Sequence, residues 1–378
     1  MCGICGFVYK DPARPAERAV LAAMNNSIIH RGPDSEGLYV NGPAGLAMRR
    51  LAIIDVASGD QPLANERQDA WIVFNGEIYN HPKLRAELIA RGHQFRTHSD
   101  TECIIHAYDE WGDDCVKHLR GMFAFAIWDT RKRRLLLARD RVGKKPLYYA
   151  EHDGAIIFGS ELKCIRRYPG FTGTPSPIAL HHFLTLQYVP DPLTGFQEVQ
   201  KLPPAHTLVL EDGRVTTRRY WDLDFRTKSD LPENDLRAEV RAKIEESVQI
   251  RLMSEVPLGA HLSGGIDSSI IVGLMAGMSD RPVKTFSVGF EEAAFNETEH
   301  ARVVAEKFRT EHHEFTIRPD AFEVLDSLVD HFDEPFADPA SIPLWYLSKL
   351  TREHVTVALN GDGGDEAFAG YQSAMRSA

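Results

Sequence analysis

Two hydrophobic patterns divide the chain, and the first fills roughly its N-terminal half. Short apolar runs separated by turn signals predict strands at "GICGFVY", "GLAMRRLAIID", "AWIVFNGEI", "GMFAFAIWD" and "RLLLARD". The segments "PLYYAEHDGAIIFGS" and "HTLVLEDGRV" carry Asp-Gly pairs and predict two hairpins. The segment "ERAVLAAMNNSII" predicts a helix, because Val20, Leu21, Met24 and Ile28 recur on one face. We therefore expect a sheet-rich domain with a few helices.

The second half alternates strands with helices. Leu236, Val240, Ile244 and Val248 recur at fourfold spacing and predict a helix, which the strand "PLGAHL", the helix "SSIIVGLMAGM" and the strand "VKTFSVGF" follow. The strand "HHEFTI", the helix "AFEVLDSLVDHF" and the strand "VTVALN" come later. Strands that alternate with helices predict a parallel, doubly wound sheet.

The polar, unpatterned stretch "DLDFRTKSDLPE" marks the boundary between the two patterns. The chain has 378 residues, which is more than a single hydrophobic core usually serves. We expect a first domain over residues 2–215, a linker over 216–235 and a second domain over 236–378.

Composition excludes several classes of function. The formal net charge is −11 at pH 7, so a nucleic-acid backbone would meet a repulsive average field. Apolar runs stay well below the ~20 residues of a membrane helix, and we expect no membrane span. The five cysteines are scattered and odd in number, which argues against a disulfide framework. Because the first residues also lack the pattern of a secretory signal, we expect a cytoplasmic protein.

The opening segment "MCGICGF" raises three interpretations of Cys2 and Cys5. A Cys-x-x-Cys spacing occurs in redox and metal sites, but a thioredoxin-like context or a second ligand pair is missing from the sequence. A cysteine is also a common buried strand residue. Finally, Cys2 directly follows the initiator Met, so it is also a candidate for a catalytic residue placed at the very end of the chain.

Two glycine-rich loops in the second half indicate a phosphate site. In "HLSGGIDSS", Gly264 and Gly265 follow a strand and open a helix, where backbone N–H groups can receive an anion. A strand-to-helix turn with serine caps is the simpler interpretation. The chain has no Gly-x-x-x-x-Gly-Lys-Ser/Thr motif, and Asp267 beside a phosphate cradle makes sense mainly with Mg²⁺.

The second loop, "NGDGGDE", follows the strand "VTVALN". Both loops are therefore expected at the carboxyl ends of parallel strands, where doubly wound sheets bind ligands. A solvated acidic turn is the alternative interpretation of this segment.

These motifs resemble a known family. "SGGIDSS" resembles the PP-loop of the ATP pyrophosphatases, which cleave ATP between its α- and β-phosphates to adenylate a substrate. Together with "DEPFADPASIP" and "NGDGGDEAFAGY", it is similar to the synthetase domain of glutamine-dependent asparagine synthetases. The resemblance implies ATP and Mg²⁺ as ligands and a catalytic Asp362, which stands where many relatives have Glu. It implies ATP-binding residues Leu262, Ser263, Gly264, Gly265, Asp267, Ser268, Ser269, Val288, Asn360 and Gly361, and metal ligands Asp267 and Asp365.

The same family has an N-terminal glutaminase domain of the Ntn-hydrolase type, whose nucleophile is a cysteine exposed by removal of Met. The resemblance implies that Cys2 is this nucleophile. It further implies Arg50 for the glutamine α-carboxylate, Asn75 and Gly76 as a catalytic oxyanion hole that also binds glutamine, and Glu77 and Asp100 for the substrate amine.

The blocks "HRGPDSEG" and "RDRVGKKPLYY" also resemble segments of the family. We interpret His30, Arg31 and Asp34 as loop organisers near the site. We interpret Lys144 and Lys145 as structural residues.

The resemblance covers nearly the whole chain. It implies an α+β domain with the αββα sandwich of Ntn hydrolases, followed by an α/β doubly wound PP-loop domain, of the adenine nucleotide alpha hydrolase type, that is incomplete. The implied activity is glutamine-dependent asparagine synthesis, in which ammonia released at Cys2 reacts with β-aspartyl-AMP formed from ATP and aspartate. The substrates are small molecules, and a homodimer is compatible with the resemblance.

Two alternatives stay open. One is an amidotransferase on the same scaffold that acts on a carboxylate of a cell-envelope sugar, a peptide or a secondary metabolite. The other is a non-catalytic module that has kept the glutaminase fold.

Overall fold

The computed structural model describes residues 1–290, 297–317 and 321–371, which form two compact units. The first unit comprises residues 1–228 and 329–337, and the second comprises the described parts of 229–328 and 338–378. Within the described residues, every helix falls short of the length and apolar character that a bilayer crossing requires.

The first unit contains two six-stranded antiparallel sheets. Its strands are β1 (Gly3–Tyr9), β2 (Ser35–Asn41), β3 (Ala44–Arg50), β4 (Leu63–Ala64), β5 (Ala70–Ile78), β6 (Gly121–Asp129), β7 (Arg134–Arg139), β8 (Tyr148–His152), β9 (Ala155–Gly159), β10 (Val199–Lys201), β11 (His206–Glu211) and β12 (Arg214–Arg219). Its helices are α1 (Arg18–Asn26), α2 (His81–Ala90), α3 (Asp100–Trp111), α4 (Cys115–His118), α5 (Leu162–Arg166) and α6 (Pro177–Leu186). The sheet orders are β10-β8-β9-β1-β3-β2 and β12-β11-β7-β6-β5-β4.

The alternation of side chains along the strands produces four layers. In β1, Ile4 and Val8 belong to a core that also contains residues of β5, β6, β7 and β11, and this core lies between the sheets. Cys5 and Phe7 point the other way, into a core shared with α1 and α5. A third core packs α2, α3 and α4 on the outer face of the second sheet. The αββα sandwich is thereby confirmed.

Strand β3 ends earlier than the sequence predicts. The segment "GLAMRRLAIID" is extended only through Arg50, because the following backbone groups bond elsewhere. Leu51 N–H donates to the sulfur of Cys2 at 3.4 Å, and Ala52 N–H donates to the carboxylate of Asp34 at 2.9 Å. The guanidinium of Arg50 then donates hydrogen bonds to the carbonyls of residues 54–56. A turn wrapped around one side chain thus replaces the last part of the predicted strand.

Two elements overlap the ends of the predicted linker of 216–235. Strand β12 continues through Arg219, pairs with β11, and is largely exposed at the sheet edge. Its charged, polar composition explains why it looks like a linker in sequence. At the other end, the first helix of the following segment begins at Glu233.

The chain after residue 229 alternates strands and helices as predicted. The elements are α7 (Glu233–Gln249), β13 (Leu258–His261), α8 (Ile266–Met278), β14 (Lys284–Phe290), α9 (Thr298–Phe308), β15 (Glu311–Ile317), α10 (Ala321–Phe332), α11 (Ser341–Arg352), β16 (Val357–Leu359) and α12 (Gly364–Phe368). The four strands are parallel in the order β15-β14-β13-β16, which confirms the doubly wound sheet. The strand order reverses between β13 and β16, the place where such sheets open a crevice.

A buried carboxylate anchors the start of β1. Glu161 accepts hydrogen bonds from His30 at 2.9 Å and Arg31 at 2.8 Å, and Lys163 pairs with it at 3.0 Å. Arg31 also donates to the carbonyl of Cys2 at 2.9 Å. Burial alone would raise the pKa of Glu161, but its bonds with His30 and Arg31 lower it to about 2. The chain terminus is therefore held in place by a charged network.

We expect this network to make stability depend on acid pH. The Glu161 pKa lies below its ordinary value of 4.5, so its contribution is present above that value and is lost as the pH falls toward 2. In urea unfolding, the wild type should lose about 2 kcal/mol of unfolding free energy between about pH 6 and about pH 3 that Glu161→Gln does not lose. Glu87→Gln, on an exposed pair with Arg91, should behave as the wild type. Equal acid sensitivity of Glu161→Gln and the wild type would contradict this assignment.

Candidate active site

A cavity in the first unit, at the start of β1, brings together the side chains that the sequence nominates for glutamine chemistry. All six predicted residues line it, although they come from distant parts of the chain: Cys2, Arg50, Asn75, Gly76, Glu77 and Asp100. Met1, Leu51, Ser99, Thr101 and Lys145 also contribute to its wall.

The Cys2 thiol is the one cysteine side chain with access to this cavity. It is half-buried, and it lies between the N–H and the carbonyl of Leu51, at 3.4 and 3.5 Å. Burial raises the pKa of the Cys2 thiol, while the Leu51 backbone, the chain terminus and Lys145 act in the opposite direction. The other four cysteines, Cys5, Cys103, Cys115 and Cys164, are fully buried.

Cys2 and Cys5 do not form a functional pair. Cys2 packs against the core between the sheets, and Cys5 belongs to the core under α1. Residues three apart on a strand point to opposite faces, so the Cys-x-x-Cys spacing cannot bring the two thiols together here.

The Asn75 side chain is a buried amide without a partner. It is fully buried at the end of β5, and both its nitrogen and its oxygen lack a hydrogen bond within the structure. An unsatisfied buried amide costs about 1–3 kcal/mol, a cost that a ligand in the cavity could remove. The neighbouring Gly76 has no room for a side chain, because a Cβ would come within 2.1 Å of the Met122 carbonyl. A backbone N–H and a side-chain amide are thus adjacent at the cavity wall.

Arg50 is fixed by its own turn. Its guanidinium is buried and donates to the carbonyl of Asp55 at 2.6 Å and to the carboxylate of Asp60 at 2.9 Å. These bonds leave little side-chain entropy to lose when an anion binds, which favours recognition of a carboxylate.

Two acids complete the cavity. Asp100 begins α3, is buried, and accepts the N–H of Ile78 at 2.9 Å. Burial raises the pKa of Asp100, and the Ile78 N–H opposes this shift. Glu77 also lines the cavity, so the cavity wall carries two carboxyl groups.

Lys145, interpreted from the sequence as a structural residue, also lines the cavity. Its side chain is buried, and its ammonium contacts the sulfur of Met1. The loop that carries it is built around Asp140, whose carboxylate accepts the N–H groups of Phe123, Val142, Lys144 and Lys145. Burial and the charge of Arg31 lower the pKa of Lys145 to about 8. Asp140 directly follows the buried strand β7. An acid in that position is the sequence feature that could have indicated the loop carrying Lys145.

The second unit presents the predicted phosphate loop at the end of β13. Gly264 has a φ of +83°, and a Cβ there would come within 2.5 Å of the His300 Cβ, so only glycine fits. Ser263 and Ser268 hydroxyls lie 3.1 Å apart, and Ser269 donates to the Gly265 carbonyl at 2.7 Å. Helix α8 follows without a side-chain cap. The serine hydroxyls therefore bond within the loop, and none of them caps α8, as a turn with serine caps would require.

The loop after β16 lies against Asp267. A Cβ on Gly361 would come within 2.8 Å of the Asp267 Cβ, and one on Gly364 within 2.6 Å of its carboxylate. Asp365 follows Gly364 in chain order. Asn360 donates to Asp362 at 2.6 Å, so this acid is oriented by its neighbour.

The remaining predicted ATP residues flank these loops. Leu262 is buried and bonds to the Phe286 carbonyl through its N–H at 2.9 Å. Val288 lies in β14, which is adjacent to β13. The two loops follow β13 and β16, Leu262 directly follows β13, and Val288 lies in β14. These three strands are neighbours in the sheet.

An αββα sandwich with Cys2 in a cavity at the start of β1 places the first unit in the Ntn-hydrolase fold class. A family model described as a glutamine amidotransferase domain matches residues 1–221, and one described as asparagine synthase matches residues 239–378. The chain belongs to the family of glutamine-hydrolysing asparagine synthetases.

Three relatives illustrate the similarity. Asparagine synthetase [glutamine-hydrolyzing] 1 of Bacillus subtilis is 42% identical over 98% of this chain and 59% of its own length. Asparagine synthetase [glutamine-hydrolyzing] 3 of the same organism is 35% identical over 98% of this chain and 63% of its own length. A putative asparagine synthetase [glutamine-hydrolyzing] 2 of Methanocaldococcus jannaschii is 35% identical over 99% and 76%. The chain spans about three fifths of the length of the first two.

We expect Lys145 to control the reactivity of Cys2. Its positive charge favours the thiolate, so Lys145→Met should slow alkylation of Cys2 by iodoacetamide by roughly three- to tenfold near neutral pH, which corresponds to about half to one pKa unit. The difference should shrink above about pH 8, as the lysine loses its proton. Mass spectrometry of the folded protein measures the rate, because the other cysteines are buried.

The matched control is Lys144→Met, since Lys144 is the exposed neighbour of Lys145. It should leave the alkylation rate unchanged. Equal rates in Lys145→Met and the wild type would show that the ammonium has no influence on the thiol.

Proposed function

We propose that the protein is a glutamine-dependent asparagine synthetase. The observation that carries the proposal is the unpartnered, fully buried amide of Asn75 in the cavity that also holds Cys2. A donor kept without a partner suits a charge that develops only during reaction, as the oxyanion of a tetrahedral intermediate does. The family of the chain, reported above, supports the same activity.

At the first site, removal of Met1 would give Cys2 a free α-amine that takes the thiol proton. The sulfur attacks the amide carbon of glutamine, while Asn75 and the N–H of Gly76 receive the oxyanion. Arg50 would bind the substrate α-carboxylate, and Glu77 with Asp100 its α-ammonium. The proton passes to the leaving nitrogen, which departs as ammonia. Water then hydrolyses the thioester to glutamate.

At the second site, we propose that ATP adenylates the β-carboxylate of aspartate. The loop of Gly264 and Gly265 at the start of α8 would receive the pyrophosphate, because the helix offers N–H groups without a side-chain cap. Leu262 and Val288 would flank the nucleotide, and Asn360 and Gly361 would contact it. Asp362 would position the acyl-adenylate, which ammonia converts to asparagine and AMP.

The residues around Asp267 fit a Mg²⁺ ion. Protein-bound Mg²⁺ typically takes one or two carboxylates together with substrate phosphates, and Asp267 presents a carboxylate directly beside the glycine loop after β16. Asp267 and Asp365 would hold the ion, which supplies neutralisation of phosphate charge when bound. The five free cysteines favour a reducing compartment, and we propose the cytoplasm.

A label-transfer experiment tests the whole proposal. Glutamine labelled in its amide nitrogen, ATP with Mg²⁺, and aspartate are incubated with the protein, and mass spectrometry follows the label. We expect labelled asparagine, together with AMP and pyrophosphate. Cys2→Ala should abolish transfer from glutamine, yet leave incorporation from labelled ammonium, because only the first site uses the thiol.

Cys5→Ala is the matched control and should retain label transfer, since Cys5 is a buried strand residue. Glutamine hydrolysis that persists in Cys2→Ala would reject the nucleophile. Transfer of label to a sugar or peptide carboxylate, with none to aspartate, would favour the alternative acceptor class.

We expect Gly264→Ala to separate the two sites. A Cβ at this φ costs about 1–2 kcal/mol even without the contact with His300, so the loop must move away from its phosphate-binding shape. Pyrophosphate release from ATP should fall at least about tenfold, as a 1.4 kcal/mol loss would cause, while glutamine hydrolysis stays unchanged. Gly277→Ala in α8, where a Cβ meets open space, should affect neither reaction. Wild-type pyrophosphate release in Gly264→Ala would contradict the assignment.

A further inference from the structure

A cluster of two histidines and a glutamate lies on the first unit, outside the cavity described above. Glu66 follows β4, His93 lies in the turn after α2, and His106 lies on α3. One potential ligand atom from each side chain lies within 4.8 Å of the others. The side chains come from three separate elements, so local sequence spacing does not explain their meeting.

His106 is the unusual member of this cluster. Its side chain is 1% exposed, and neither ring nitrogen makes a hydrogen bond within the structure. Each nitrogen instead lies within ion-pair distance of a carboxylate, that of Glu66 or that of Glu102, at a separation longer than a hydrogen bond. Nδ1 of His106 faces Oε1 of Glu66 at 3.7 Å. Nδ1 of His93 is hydrogen-bonded to the same oxygen at 3.2 Å, and that oxygen also accepts the Gln94 N–H at 3.0 Å.

These separations fit metal ligation. Zn–N and Zn–O bonds of ~2.0–2.2 Å in a tetrahedral site place neighbouring ligand atoms about 3.3 Å apart. The two histidine–glutamate distances lie close to that value. His93 and the Glu66 carboxylate are partly accessible, which provides a path for an ion and a position for a water ligand.

The outer partners fit as well. Nε2 of His106 lies 3.5 Å from the buried carboxylate of Glu102, and Nε2 of His93 lies 3.5 Å from Glu110. A histidine that binds a metal through one nitrogen usually directs the other toward a carboxylate or carbonyl. Both histidines of the cluster have this arrangement. Glu102 is itself fixed by the N–H groups of Arg96 and Thr97.

We propose that Glu66, His93 and His106 form a binding site for a divalent transition-metal ion of the Zn²⁺ type, with solvent as the fourth ligand. Imidazole and carboxylate donors suit such ions. The ion would tie the turns that carry Glu66 and His93 to helix α3. Helix α3 begins at Asp100, which lines the cavity around Cys2. The role of the bound ion is therefore to stabilise the wall of that cavity, and the ion takes no part in the chemistry.

Zinc retention by the full chain tests the site. The metal-stripped protein is incubated with excess ZnCl₂, dialysed, and analysed for metal content, and its unfolding temperature is measured with and without zinc. We expect one zinc per chain and a higher unfolding temperature with zinc. Both effects should be lost in Glu66→Gln and in His93→Gln, whose exposed or half-buried positions allow folding. Co²⁺ in place of zinc should give the visible absorption of a four-coordinate site.

Two controls separate this site from other metal-binding groups. His181→Gln removes one of two adjacent histidines on α6 and should retain the zinc. Cys2→Ser should also retain it, because the thiol is outside the cluster. The proposal is overturned if the wild type retains no zinc, if Glu66→Gln and His93→Gln retain it fully, or if Cys2→Ser or His181→Gln loses it.

Discussion

The link from Glu161 through Arg31 to the carbonyl of Cys2 is the interaction on which the cavity around Cys2 depends. A chain terminus normally frays, since its backbone has few partners and much conformational freedom. Here a buried carboxylate fixes a guanidinium, which in turn fixes the first peptide group of β1. The thiol is thereby held at a defined place, where it bonds with the Leu51 backbone and packs against the core between the sheets.

Around the cavity, side chains that fix the backbone through hydrogen bonds also line the cavity wall or place a neighbour there. The Arg50 guanidinium donates hydrogen bonds to carbonyls of the turn that follows β3, and it also lines the cavity. The Asp140 carboxylate accepts four backbone N–H groups and thereby fixes the loop that places the Lys145 side chain at the cavity wall. Precise positions follow from buried hydrogen bonds, since each of these groups would be costly to leave unsatisfied.

The sequence predicts the strands of both units well where the apolar period is clear. It overestimates the length of β3, which ends at Arg50. The reason is that the Arg50 side chain bonds to carbonyls four to six residues downstream, and an apolar pattern does not reveal such side-chain bonds. It treats β12 as linker because an exposed edge strand is as polar as a loop. The αββα arrangement follows from resemblance, since periodicity alone does not tell which sheet faces which.

Two groups of site residues differ in how far sequence reveals them. Cys2, Asn75 and the glycine loops stand in motifs, so their neighbours in sequence identify them. Lys145 is interpreted from sequence as structural, because its sequence neighbours do not show that the Asp140 loop places it, buried, at the cavity wall. Glu66, His93 and His106 are separated by 27 and 13 residues along the chain and meet only through the packing of α3.

The placement of Cys2 and Cys5 on opposite faces of β1 has a consequence for redox chemistry. A thiol oxidised to sulfenic acid is commonly rescued by a second cysteine, which condenses with it to a disulfide. In this protein the nearest cysteine in sequence is Cys5, which lies in the core under α1, on the other side of the sheet from Cys2. The other three cysteines are fully buried. Oxidation would therefore fall on Cys2 alone, and its reversal would require a thiol from outside the chain.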